Sequence, residues 1–281
     1  MIKISVHPVT YLLALFALVS GFIYELFLLF LIVIIHELGH VGVALSFGWR
    51  VKRVELLPFG GVAEMEEYGN SSPKEEFWVY FSGPLMNVLM MGWGQGMLLL
   101  DWLSPEFLYL FIEYNLMILL FNMLPIWPLD GGKLLELGLS LVLPYKKALR
   151  YALKVSAFFF RFYVATVILY FRPYFSLWVM VLFLLLAQWK ERKQKPYQFM
   201  RFLLERLKKE ESGLNGRDVA SIPLTPQTTV REALESMFRH KLNYFCVIGE
   251  EGKVEGIINE QELLHLFFLR RSGLACNRRS S

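Results

Sequence analysis

Before residue 190 the chain is a succession of apolar runs, several of them long enough to cross a bilayer. Lipid cannot hydrogen-bond to exposed backbone, so such runs are restricted to helices or closed barrels, and unbroken apolarity without alternation selects helices. A spanning helix needs roughly 20 mostly apolar residues. Six segments meet that pattern, at about 9–23, 27–47, 77–100, 107–125, 153–171 and 174–189; the first is short and the fifth carries Arg161. Only 19% of the 281 residues are charged, against about a quarter in soluble domains. The expected core is therefore an all-α membrane domain of six spans over residues 1–195.

Positive charges set its orientation. With Lys3 on the cytoplasmic side, the second span leads to Arg50, Lys52, Arg53 and Lys74, the fourth to Lys133, Lys146, Lys147 and Arg150, and the sixth to Lys190, Arg192, Lys193 and Lys195. Of the basic residues only Arg172 falls on the opposite side, so an even number of spans with both termini cytoplasmic accounts for the pattern. The net charge of +4 is explained by this topology. The clusters flank apolar runs and carry no nucleic-acid-binding motif, which excludes nucleic acid as a partner. Cys246 and Cys276 lack a paired spacing and fit a reducing compartment.

After Lys195 the character changes. Residues 196–212 read as an amphipathic linker helix, residues 213–272 as a small α/β domain, and residues 273–281 as a frayed tail. Within that domain TTVREALESM opens a helix, NYFCVIGEEGKVEGIIN reads strand, turn at 251–252, strand, and EQELLHLFFLRR reads as a second helix.

The chemistry sits in the second span. His36 and His40 in HELGH lie one helical turn apart and present both rings to one side, while Glu37 follows His36 directly. Zinc lowers the pKa of a bound water to about 7, and a neighbouring carboxylate must take and return its proton. Two histidines and a glutamate could also pack polar in a helix bundle or line a transport path. Ionisable groups within a span are costly, however, and three in five residues favour the metal reading. A catalytic zinc takes three protein ligands and a water. The third candidate is Asp130 in NMLPIWPLDGG, where two prolines and two glycines break the fourth span; the alternative there is that Asp130 caps the helix of 133–143. Glu25, Glu113, His7, His240 and His265 are weaker candidates, read as structural or solvated.

Two further motifs flank this pair. FSGPLMN puts Ser82, Gly83 and Asn87 in the third span, the small residues suiting close helix approach. Residues 51–67 read as a cytoplasmic β-hairpin turning at Pro58, Phe59, Gly60 and Gly61, whose open edge can receive an extended substrate strand.

HELGH, SGPLMN and NMLPIWPLDGG in three successive spans resemble the site-2 protease family of intramembrane zinc metalloproteases, and VKRVELLPFGG after the zinc helix resembles its sporulation branch. Residues 225–268 resemble a single CBS domain. The resemblance implies one zinc per chain on His36, His40 and Asp130, Glu37 as the catalytic carboxylate, and Asn87 and Asn122 as substrate or transition-state contacts. It implies a membrane-associated sigma factor precursor as substrate, trimmed of its pro-segment, and inhibitory membrane proteins as partners. It places the chain in the outer forespore membrane facing the mother cell. A CBS domain implies ATP as a regulatory ligand, with no nucleotide-binding residue assigned because Glu260 and Glu262 stand where an Asp is usual. A lone CBS domain implies a homo-oligomer. Two other classes compete: a metal transporter, which needs further ligands along a path, and a non-catalytic nucleotide-sensing scaffold, which has no use for Glu37.

Overall fold

The computed structural model describes residues 3–6, 10, 18–57, 60–66, 71–102, 104–170, 175–208, 218–225, 227–249 and 253–271. The chain divides into two compact units, Met1–Leu135 with Val155–Gln188, and Glu136–Lys154 with Trp189–Ser281. The division runs through three helices.

In the first unit α1 (Ile23–Ser46) carries the HELGH motif. It ends where Gly48 takes a positive φ of 76°, letting Trp49 N bond Ala44 O at 2.9 Å and turning the chain into a strand. The helices α2 (Pro73–Leu99) and α3 (Pro105–Asn122) start alike. A serine, Ser72 or Ser104, accepts a bond from the backbone N–H three residues on, and a proline occupies the first helical position, where its missing N–H is not needed. Leu28, Ile32 and Val33 of α1 pack with Met90 of α2 and with Leu108, Phe111 and Ile118 of α3, so the three helices share one core. Many apolar side chains point outward instead, among them Phe27, Leu89, Trp93 and Leu120, as expected where the solvent is lipid.

The expected hairpin is present as β2 (Arg50–Leu57) and β3 (Gly60–Glu66), antiparallel, with a register shift between Val51 and Arg53. Pro58 and Phe59, expected at its turn, lie outside the described residues. A strand not foreseen, β1 (Lys3–Val6), pairs parallel with β2 from Lys3↔Arg53 to Val6↔Leu56. β2 is therefore central, and β1 and β3 are the outer strands of the order β1-β2-β3. Its four residues, KISV, do alternate polar and apolar, but the run is too short to be separated from the apolar stretch that follows.

Of the six expected spans, α1 and α5 (Tyr145–Tyr170) are long and apolar enough to cross a membrane by length and composition. Three others are helical but diluted. α2 is uncharged over residues 77–99 but holds Ser82, Gly83, Pro84, Asn87 and Gln95, α3 holds Glu106 and Glu113 in 18 residues, and α6 (Phe175–Lys208) joins an apolar half to a charged one. The segment 9–23 falls largely outside the described residues.

The second unit holds β4 (Val219–Leu224), α7 (Val230–Glu235), β5 (Leu242–Ile248), β6 (Val254–Asn259) and α8 (Glu260–Arg271). β4 runs parallel to β5, and β5 antiparallel to β6. A capping box between Thr229 and Glu232 starts α7. That helix is shorter than its sequence pattern because Asn243 binds both the N–H and the carbonyl of Phe238 and fixes the chain in a turn. The core of Leu234, Met237, Phe245 and Leu264 also takes in Tyr145 and Leu149 from α5 and Phe202 and Leu203 from α6.

α6 runs without a break from Phe175 to Lys208: QWKERKQK consists of strong helix formers apart from its tryptophan, and Pro196 is accommodated inside the helix. Near its end Arg206 is buried, donating from Nη1 to Glu260 Oε1 at 3.0 Å and from Nη2 to the carbonyls of Arg239 and Lys241 at 2.7 and 2.9 Å. Burial pulls the Arg206 guanidinium below its ordinary pKa, and Glu260 opposes that pull. The other oxygen of Glu260 accepts from Asn243 N at 3.1 Å and Asn243 Nδ2 at 2.9 Å.

Candidate metal centre

Three side chains meet in the first unit. Nε2 of His36 and Nε2 of His40 lie 3.2 Å apart, and Oδ2 of Asp130 lies 3.1 Å from the first and 3.0 Å from the second. All three residues are buried. The histidines come from successive turns of α1, as their spacing requires. Asp130 arrives by a longer route. After α3 ends at Asn122, Trp127 and Pro128 are joined by a cis peptide, and Trp127 N is held by Ser156 Oγ at 2.9 Å. Asp130 then opens α4 (Asp130–Val142). Gly131 and Gly132 make this turn sterically feasible: a Cβ at Gly131 would stand 2.2 Å from Met123 O, and one at Gly132 2.8 Å from Ile126 O. Ile126 and Leu129, buried with Phe160 and Leu184, anchor the segment.

The outer nitrogens show which face of each ring is available. His36 Nδ1 donates to Asn87 Oδ1 at 2.6 Å, and the Asn87 amide is oriented by its own donation to Asn115 O at 3.1 Å. His40 Nδ1 donates to Val79 O at 2.6 Å, a carbonyl that also accepts from Ser82 Oγ at 2.8 Å. With the proton on Nδ1 in both rings, both Nε2 lone pairs face the centre. Asp130 Oδ1 accepts from Lys133 Nζ at 3.0 Å, which leaves Oδ2 to face the same point.

Three acceptors turned toward one another repel unless a cation lies among them. The spacing fits one: a tetrahedral zinc with bonds of about 2.05 Å has ligand–ligand edges of about 3.3 Å, close to the distances found. Two imidazoles and a carboxylate suit zinc and leave a fourth position for water. Among the described residues this is the one group of three His, Cys, Asp or Glu able to share an ion. Glu25, Glu113, His240 and His265 belong to no such group among the described residues.

Two residues matter more here than their sequence context indicates. A Cβ at Gly83 would come within 2.2 Å of His40 Nε2 and 2.6 Å of His36 Nε2, so Gly83 clears the space in which the ligands meet. Gly39 does the same for helix packing, where a Cβ would meet Met86 Cγ at 2.5 Å and Ser82 O at 3.0 Å. Lys133, read from the sequence as a membrane-exit charge, fixes the Asp130 carboxylate. The Val79 carbonyl has no sequence signature at all.

Glu37 is buried on α1 beside His36. Asn122 is half-buried at the end of α3, and Gly60 and Gly61 open β3 opposite Leu57 and Leu56.

Comparison with known proteins places these features in context. The model of Peptidase family M50 matches residues 24–100 and 97–163, and that of the CBS domain matches residues 217–268. The chain is 39% identical over 268 residues to Stage IV sporulation protein FB of Bacillus subtilis, covering 95% of this chain and 92% of that protein. It is 29% identical over 244 residues to a zinc metalloprotease of Methanocaldococcus jannaschii, covering 82% of this chain and 65% of the relative. The solved site-2 protease from Methanocaldococcus jannaschii superposes with a TM-score of 0.54 at 26% identity, over 68% of this chain and 90% of the other.

Proposed function

The chain belongs to peptidase family M50, the site-2 zinc metalloproteases, and we propose that it hydrolyses a peptide bond in a membrane-associated precursor using His36, His40 and Asp130 as zinc ligands and Glu37 as general base. The observation that carries this assignment is the convergence of His36 Nε2, His40 Nε2 and Asp130 Oδ2 to within 3.2 Å of one another with both Nδ1 positions already donated elsewhere. When bound, zinc supplies a Lewis acid that lowers the pKa of water to about 7.

The chain's own groups do the rest. Asn87 and the Val79 carbonyl hold the imidazoles in the ligating tautomer, and Lys133 turns one Asp130 oxygen away so that the other faces the centre. Glu37 takes the proton of the attacking water and returns it to the leaving amine. The amide of Asn87 is committed at both ends, to His36 and to Asn115 O. Its part is therefore to position a ligand, and of the two asparagines Asn122 is the one left to contact substrate. A helical substrate shields its peptide bonds, so it must be unwound first, and the outer strand β3, opening at Gly60 and Gly61, offers an edge on which an extended segment pairs.

For the substrate we propose a sigma factor precursor cut during sporulation, on the strength of near full-length similarity to a sporulation protein. In the same reading the membrane core has six spans with cytoplasmic termini and sits in the outer forespore membrane. Inhibitory membrane proteins hold it inactive, and the CBS-like domain pairs between chains. If ATP regulates that domain, the contact falls to Glu262, which is exposed, because Glu260 is committed to Arg206 and Asn243.

Co-expression of the precursor with wild type or Glu37→Gln tests the assignment: cleavage is expected with the first and not with the second. Undiminished cleavage by Glu37→Gln removes the base. Histidine-dependent metal flux without cleavage favours transport.

A further inference from the structure

The second unit contains a cavity of about 820 Å³ that the proteolytic reading leaves unused. Its floor is apolar, formed by Leu149, Leu153, Phe199, Leu203, Leu234 and Phe267. Its lining also includes five cationic side chains, Lys146, Arg150, Arg192, Lys195 and Arg231, against the single carboxylate of Glu235. That carboxylate is already neutralised, by Lys146 and by Arg231 Nε at 3.2 Å. Lys195 is held by Glu136 at 2.5 Å. Arg150 and Arg192 are exposed and have no ion-pair partner among the described residues. A cavity of this size falls in the range used for small ligands, and a greasy floor under unpaired guanidinium groups selects an amphiphile with an anionic head.

The helices that line it indicate where such a ligand comes from. Arg150 lies on α5, whose apolar stretch begins five residues later, and Arg192 lies on α6 three residues after its apolar stretch ends at Trp189. At 1.5 Å per residue both guanidinium-bearing positions lie about 5–8 Å along their helices from those apolar runs. On the reading that the apolar runs cross the membrane, that is headgroup depth. Glu260 and Glu262 do not line the cavity, so it is separate from the nucleotide contact considered above.

We propose that this cavity binds an anionic membrane phospholipid, with its phosphate on Arg150 and Arg192 and the start of an acyl chain on the floor of Leu149, Leu153 and Phe199.

The test uses the full chain in mild detergent, with native mass spectrometry or calorimetry reading the binding of dioctanoyl phosphatidylglycerol and dioctanoyl phosphatidylcholine. Phosphatidylglycerol should bind preferentially. Removing each guanidinium should weaken it about fivefold, so Arg150→Gln with Arg192→Gln weakens it about 25-fold. Lys147→Gln with Lys193→Gln, exposed cations outside the cavity, should change it less than twofold. Leu153→Trp should fill the floor and reduce binding without altering charge. Equal binding of the two lipids, an equal loss in the control pair, or no response to Leu153→Trp would each overturn the proposal. So would displacement of the lipid by inorganic phosphate or ATP at matching concentration, which would mark a site for soluble phosphates. All of these readouts are independent of proteolysis.

Discussion

Two of the polar clusters buried among the described residues, one in each unit, are built on opposite rules. Around Arg206 a cation meets an anion, two backbone carbonyls complete its shell, and Glu260 divides its two oxygens between Arg206 and Asn243. Around Asp130 three acceptor atoms face one another at 3.0–3.2 Å, while every donor in reach is spent on the outside of the ring, between Asn87 and His36 and between His40 and Val79. The first cluster pairs its charges internally and leaves only Arg206 Nε without a hydrogen-bond partner. The second turns no donor toward its centre and so presents a place for a cation. Burial and polarity are common to both, so what separates a structural cluster from a metal site is whether donors and acceptors balance.

Four substitutions sharpen or break this contrast. The largest effect is expected from Asp130→Asn, which replaces an anionic ligand by a neutral amide. Zinc affinity should fall by more than ~100-fold, beyond the loss usual for groups that only orient ligands, and cleavage should disappear. Metal analysis after dialysis reads this directly, and full zinc occupancy would take Asp130 out of the centre.

Gly83→Ala should be nearly as damaging without touching a ligand, because the added methyl occupies the space where His36 and His40 Nε2 meet. The protein should still fold, with zinc lost.

In the other cluster, Glu260→Gln leaves a buried guanidinium without its counter-charge. It should cost about 3 kcal/mol in the stability of the second unit, measured by denaturant unfolding, and leave zinc content unchanged. A variant that lost zinc instead would show that the two clusters are not independent.

Asn87→Ala should be mildest. The His36 ring loses its orienting acceptor, zinc affinity drops about 10- to 100-fold, and added zinc restores activity. Failure of zinc to restore it would give Asn87 a role in the reaction itself.

The two clusters also differed in how much of them could be read beforehand. HELGH declares its chemistry because i and i+4 histidines share a helix face whatever surrounds them. Asp130 was ambiguous from residues alone, since the same NMLPIWPLDGG string describes a ligand loop or a helix cap, and only the folded chain brings its carboxylate to the α1 histidines. Gly83 looked like a packing residue. It is one, but what it packs against is the pair of imidazoles. The Arg206 cluster was invisible, because its partners lie more than 30 residues away and two of them are backbone carbonyls.

Local patterns found the β5 and β6 strands and α8, but not β4. That strand contains Pro223, which is tolerated because β4 lies at the edge of its sheet. α6 runs on past residue 195 and contributes Phe202, Leu203 and Arg206 to the second unit's interior. Amphipathicity shows that a helix face will be buried, not against what.

The most direct measurement removes the metal from the purified full chain with a chelator and follows cleavage of the precursor as zinc is returned. If His36, His40 and Asp130 hold a zinc that the reaction requires, cleavage should vanish with the metal and return in full at one equivalent per chain, and a His40→Ala chain should not recover. Cleavage that continues at the original rate in zinc-free protein would contradict it.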